Sequence, residues 1–188
     1  MTYLIIKANK PLDKEEVILL KDALNEAIKI IKFDTFDNYY FVKIENVDEI
    51  NLLDLFTTIN AELYLPITVF ESKSLIDCNY FSWALKAFMN YNNSSMNLVT
   101  EKDLLRAQIN YDNEDIKRNV LKIYYNDKDI INMLKVFFEC NLNTSKAADL
   151  LYMHRNTLIN KLDKFYEVTG YDVRRFMDAS LISALINV

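Results

Sequence analysis

One glycine, Gly170, and two prolines, Pro11 and Pro66, punctuate a chain of 188 residues. Such a chain cannot build a loop in which several glycines bring the backbone against a phosphate. A P-loop and a G-x-G-x-x-G fingerprint are therefore excluded, and nucleotide binding through those devices with them. The remaining composition, 51% hydrophobic and 26% charged, supports one substantial core or two small ones. A single histidine, His154, and two cysteines, Cys78 and Cys140, cannot supply the clustered ligands of a Cys/His zinc site. No metal and no cofactor are expected. Unpaired cysteines, the lack of any apolar run of about 18 residues, and the lack of a basic-then-apolar leader predict a cytoplasmic protein without a membrane partner.

Charge is unevenly placed. Residues 1–100 hold 9 basic and 14 acidic side chains, residues 101–188 hold 13 of each, and the whole carries −5. No block of one sign marks a disordered arm, so attraction to a polyanion has to come from a local patch.

The pattern divides along the chain. Tyr3 to Ala8 is a β-branched and aromatic run that reads as a strand. After Pro11 and Asp13, apolar Val17, Leu20, Leu24, Ala27, Ile28 and Ile31 recur at helical steps. Ile31 to Phe36 and Tyr39 to Ile44 flank Asp37-Asn38, residue types that tolerate left-handed φ, and form a hairpin. Asn46 or Asp48 then caps a helix through Ile50, Leu53, Phe56, Ile59 and Leu63, and Leu65 to Glu71 reads as a strand. Pro66 points to an edge or to the first residue of that strand. A helix over about 76–91 follows.

The order β-α-β-β-α-β-α predicts a mixed sheet with helices on one face, as in ferredoxin-like domains. Beyond Ser95 only helical periodicity is visible: 101–109, 114–125, 129–140, 145–151, 155–169 and 175–186. The chain is thus expected to be α+β, with a ferredoxin-like or palm-like domain over 1–92 and an all-α domain over 98–188, divided near 92–98.

Within the helical half, the segment from Asn143 to Phe165 has the grammar of a helix-turn-helix. Thr144 or Ser145 caps the first helix, while small Ala147 and Ala148 allow a second helix to cross closely. Leu151, Met153, Leu158 and Leu162 make the seam. A recognition helix beginning near Arg155 then exposes Arg155, Asn156, Thr157, Asn160, Lys161 and Lys164, with its N-terminal end aimed at a major groove. Arg suits a guanine edge, Asn an adenine edge, and Thr or Lys a phosphate. His154 sits at the start of that helix, and Tyr152 fills a turn position that Gly, His or Asn adopts more easily.

Through Lys146-Ala-Ala-Asp-Leu-Leu, His154-Arg-Asn-Thr-Leu158, Leu162, Val168-Thr-Gly-Tyr-Asp172 and a closing apolar helix from about Met177, residues of roughly 100–187 resemble the PucR (purine-catabolism regulator) family of bacterial transcription factors. The helix pair is also similar to the factor-for-inversion-stimulation class, whose DNA contacts would fall here on Arg155, Thr157 and Asn160 or Lys161. The resemblance implies a homodimeric DNA-binding regulator of transcription, partnered by double-stranded DNA and responding to an effector sensed by its N-terminal part. Gly170 matches a left-handed helix cap. Recognition helices of this family commonly carry several Arg where this chain has Ile159, Asn160 and Asp163. Residues 143–175 hold only six basic and four acidic side chains. The element order of residues 3–71 resembles a degenerate GGDEF-type palm, but Asp37-Asn38-Tyr39-Tyr40 stands where a cyclase presents Gly-Gly and an acidic pair, so cyclase activity is not expected.

Three blander or rival readings stand beside this one. Asp34 and Asp37 fit turn chemistry better than a cation site. Phe81, Trp83, Leu85, Phe88 and Tyr91 fit core or a dimer surface better than a ligand pocket. No nucleophile accompanies His154, so no catalytic residue is assigned. The thin basic surface keeps one alternative function in view, a protein-interaction module with a helix-turn-helix fold that does not bind DNA. An enzyme of the palm type is the weaker rival.

Overall fold

A computed structural model describes residues 2–45, 50–72, 78–91, 96–107 and 113–187. The chain forms two compact units, residues 1–107 and 108–188. Together they make an α+β protein.

The first unit is built on β1 (Thr2–Ala8), α1 (Lys14–Ala27), β2 (Ile30–Phe36), β3 (Tyr39–Ile44), α2 (Leu52–Leu63), β4 (Ile67–Ser72), α3 (Cys78–Met89), β5 (Leu98–Val99) and α4 (Glu101–Arg106). The sheet order is β2-β3-β1-β4-β5. β1 pairs antiparallel with both β3 and β4, and β2 with β3. This is the split β-α-β arrangement of a ferredoxin-like sheet, and β5 is added parallel to β4. The short β5 departs from the expectation of no strand beyond Ser95; two residues are too few to show a period.

Alternation along β1 explains why helices cover both faces rather than one. Leu4, Ile6 and Ala8 join Leu20 and Leu24 of α1 and Phe56 and Ile59 of α2 in one core. Ile5 points the other way, into a core with Phe70, Ala84 and Phe88 of α3, Val99 and Leu104 of α4. A central strand that is apolar on both sides needs a helical layer on each. The aromatic residues of α3 are core: Phe88 is fully buried, and Phe81, Trp83, Leu85 and Tyr91 pack against the same cluster.

Local chemistry fixes the element ends. Asp13 caps α1 in a reciprocal capping box with Glu16. Asn51 caps α2, where Asn46 or Asp48 was expected; those two lie outside the described residues. Asp37 makes the hairpin turn at φ 54°. Pro66 immediately precedes β4, which lies inside the sheet, so its missing N–H costs no ladder bond. Lys7 donates to the carbonyls of Met89 (3.0 Å) and Tyr91 (3.2 Å), placing a cation at the C-terminus of α3.

One side chain ties α2 to the sheet. Asn60 donates to the Ile67 carbonyl (2.9 Å) and to Asn97 Oδ1 (2.7 Å), and it accepts from the Ile67 N–H at 3.2 Å. Asn60→Ala leaves these partly buried groups unmatched. It is expected to lower the stability of the first unit by about 1–3 kcal/mol. Urea unfolding followed by emission of Trp83, the only tryptophan, measures that loss.

The second unit is helical throughout its described residues: α5 (Glu114–Leu121), a 3-10 turn (Lys122–Tyr124), α6 (Lys128–Glu139), α7 (Thr144–Leu150), α8 (Arg155–Thr169) and α9 (Phe176–Leu185). Its core includes Leu134, Phe137, Leu158, Phe165 and Ile182, all fully buried. No described helix is long and apolar enough to cross a membrane.

Candidate nucleic-acid interface

The polar face of the second unit is positioned from beneath by its smallest side chains. Ala147 and Ala148 of α7 are fully buried against α8, whose Leu158, Leu162 and Phe165 are buried in turn. With no side chain beyond Cβ at these two positions, α7 leaves room for a close approach. Leu151 and Met153 are only half-buried at the seam.

Asn143, not Thr144 or Ser145, caps α7, with its side chain accepting from the Lys146 N–H at 3.0 Å. The cap falls one residue earlier than expected, and this frees Thr144 for a different task. Thr144 Oγ1 accepts from Arg155 Nε at 3.3 Å, so the first residue of α7 holds the first residue of α8. His154 caps α8 through Nδ1, which accepts from the Asn156 N–H at 3.2 Å.

At 100° per residue, Asn156, Asn160 and Lys164 follow one another on the side of α8 opposite Leu158, Leu162 and Phe165. All three are exposed, as is Thr157 beside them, while Lys161 is half-buried. Arg155 lies apart, toward α7. Ser145 is exposed on the first turn of α7. The structure thus brings Thr144 to Arg155 and His154 to Asn156, and it lines up Asn156, Asn160 and Lys164. Lys146, not counted among the site residues from sequence, is exposed on the same first turn as Ser145. Next to Ala147-Ala148 its residue type gives no sign of a surface role; only its exposure does. None of Lys146, Lys161 and Lys164 makes an ion pair with a described residue.

Asp163, one of two acidic residues on α8, does not stand alone. Arg174 Nη1 meets Asp163 Oδ1 at 2.7 Å, and Arg174 Nε meets Asp172 Oδ1 at 2.7 Å. Burial, the largest single influence, pushes the Asp172 carboxyl up. Hydrogen bonds from the Arg174 side chain and backbone, with the charges of Arg174 and Arg175, outweigh it and hold the carboxyl below its ordinary value. The hydrogen bond to Asp172 raises the Arg174 guanidinium above its own. The Asp172 N–H donates to the buried Asp178 at 3.0 Å, closing the loop onto α9.

The comparisons with known proteins meet this geometry at the same helices. The model of the PucR C-terminal helix-turn-helix domain matches residues 130–187, from Ile130 in α6 to the end of α9. Residues 130–187 are thus similar to a PucR C-terminal helix-turn-helix domain. The match starts later than the residue 100 expected from sequence, leaving α4 and α5 outside the PucR domain. The uncharacterised protein YxkF of Bacillus subtilis (strain 168) is 30% identical over 84 residues, 45% of this chain and 26% of its own length. This chain therefore spans about a quarter of that relative. A regulator of polyketide synthase expression from Bifidobacterium adolescentis, known from its crystal structure, aligns with 98% of this chain and 78% of its own at a TM-score of 0.56. At 12% identity that likeness is one of fold.

Two backbone positions of the PucR domain give direct tests. Tyr152 makes the α7–α8 turn at φ 51° while its side chain is 98% exposed. Left-handed φ costs a Tyr about 1 kcal/mol that Gly avoids, and almost no packing is lost with the ring, so Tyr152→Gly should stabilise the unit in thermal unfolding. Gly170 ends α8 at φ +79°, and an added Cβ there meets nothing within 4 Å; Gly170→Ala should cost about 1 kcal/mol through backbone conformation alone.

A pH test follows from Asp172. With its folded value lowered, its contribution is complete above the ordinary carboxylate value of about 4 and disappears as pH falls through the folded one. Asp172→Asn should therefore destabilise the unit at neutral pH and flatten the acid limb of its stability profile, measured by urea midpoints at successive pH values.

Proposed function

We propose that the chain is a sequence-specific DNA-binding regulator of transcription that acts as a homodimer and uses α8 as its recognition helix in the major groove. The observation that carries this reading is the exposed polar strip Asn156, Asn160 and Lys164, whose lysine has no ion-pair partner among the described residues, with Thr157 and Arg155 at the exposed start of the same helix. Arg155 is suited to a guanine edge through its terminal nitrogens while Nε stays on Thr144, and Asn156 and Asn160 to adenine edges. Thr144, Ser145, His154, Thr157, Lys161 and Lys164 fit the phosphates on either side, as does Lys146. The PucR domain and the regulator with a similar fold support the same reading. The ferredoxin-like unit is the place for an effector or a second copy.

Few cations are offered. Arg174 is engaged with Asp163 and Asp172, which masks Asp163, one of the two acidic groups on α8, without adding a positive charge. Counterion release from one copy is accordingly small, and two copies are needed for useful affinity. Two recognition helices about 34 Å apart would read a pseudo-palindrome.

The test is selection from a pool of random duplex DNA, at low and then physiological salt. Arg155→Ala should lose about 1–3 kcal/mol on the selected site and relax preference at one base position. Lys164→Ala should weaken binding to every sequence and reduce the salt slope by about 1. Equal, sequence-independent losses in both variants would overturn the division of roles. The same α8 surface with no enrichment, and no binding even at low salt, would favour the protein-interaction reading, for which the exposed apolar Leu150 of α7 and Phe176 and Met177 of α9 are candidate contacts.

A further inference from the structure

The sheet of the first unit has two unequal edges. At one, β5 contributes two residues before the chain enters α4. At the other, β2 presents seven residues paired with β3 on one side only. A strand so placed turns a row of N–H and C=O groups outward, a template for another strand. Exposed apolar surface gathers at the same edge. Ile31 and Phe36 of β2 are 44% and 69% exposed, and Ile18 of α1, which shares a shallow pocket with Thr35 of β2, is 58% exposed. α1 is the helix that leans on β2, with the Lys21 ammonium 5.9 Å from the centre of the Phe33 ring.

The charge pattern of β2 selects what can occupy that edge. Lys32 and Asp34 lie on one face of the strand, two residues apart, and pair at 2.6 Å. Suppose a second β2 lies antiparallel beside the first, related by a two-fold axis. Opposed residues share a face, so the axis passes through a residue rather than between two. An axis at Lys32 sets two ammonium groups against each other, and an axis at Asp34 sets two carboxylates. An axis at Phe33 sets Lys32 of each copy opposite Asp34 of the other.

We propose that the β2 edge is the docking surface for a second copy of this chain. The two β2 strands pair antiparallel about Phe33, joining the sheets and closing Lys32 and Asp34 of both copies into a square of four alternating charges. The same charges that deter indiscriminate strand stacking favour this register over those centred on Lys32 or Asp34. The bulge in β2 between Ile30 and Lys32 limits the paired run to the segment around that square. The inference deepens the homodimeric reading above and rests on it for its purpose only.

The test is sedimentation equilibrium of the full chain without DNA, so association and DNA binding can fail independently. Wild type is expected to dimerise. Lys32→Glu makes the edge wholly acidic and Asp34→Lys makes it wholly basic, and each variant alone should associate about tenfold more weakly or worse because like charges then face each other. An equimolar mixture of the two should associate as tightly as wild type, because the acidic edge meets the basic one. Recovery in the mixture also shows that neither variant is misfolded. A monomeric wild type, single variants that associate as tightly as wild type, or a mixture that stays apart would each overturn the proposal.

Discussion

The crossing of α7 over α8 at Ala147 and Ala148 determines what the second unit can present. Two fully buried alanines keep the α7 side of the core thin, and Leu158, Leu162 and Phe165 of α8 are buried in turn. Once that face is fixed, helical geometry places Asn156, Asn160 and Lys164 outside. The caps by Asn143 and His154 fix where each helix begins, and the bond between Thr144 and Arg155 joins the two beginnings. The polar surface is thus a consequence of small residues in the core. An enlargement at either alanine would tilt α8 and displace every polar group on it together, without touching one of them.

Electrostatics refine that surface more than they create it. The first unit carries an acidic excess and the second is balanced, so long-range steering toward a polyanion is weak. What matters is local: Arg174 spans Asp163 and Asp172, and the lysines of α7 and α8 are left without ion-pair partners among the described residues. On the proposed reading, such a surface would depend on fit and on pairing of two copies more than on field strength. Its selectivity should consequently be less degraded by salt than that of a heavily basic domain.

Most of the architecture was legible because hydrophobic period is a strong signal. The hairpin around Asp37-Asn38, the helical second half and the start of α8 at Arg155 all follow from spacing and residue type. Misreadings cluster where the signal is short or set by tertiary contact. β5, with two residues, has no period to detect. The second helical layer was missed because Ile5 and Phe70 look the same whether a strand is covered on one face or two. The cap of α7 slipped by one residue because Asn, Thr and Ser at adjacent positions can each serve, and only packing decides which one does. The partnership of Arg174 with Asp163 joins residues eleven apart across a loop, beyond the reach of any helical spacing rule.

Scarcity of glycine leaves a mark at the ends of the helices. Tyr64 after α2, Lys122 after α5, Asn141 and Leu142 after α6, and Tyr152 after α7 all hold positive φ, and only α8 ends on glycine. A side chain in that conformation raises the energy of the closed state relative to a locally opened one, so opening is easiest there. Backbone amides flanking these turns will exchange with solvent ahead of those in the helices they join. The segment that leads into α8 is then a point of natural breathing, while α8 itself, closed by Gly170, moves as a single stiff rod.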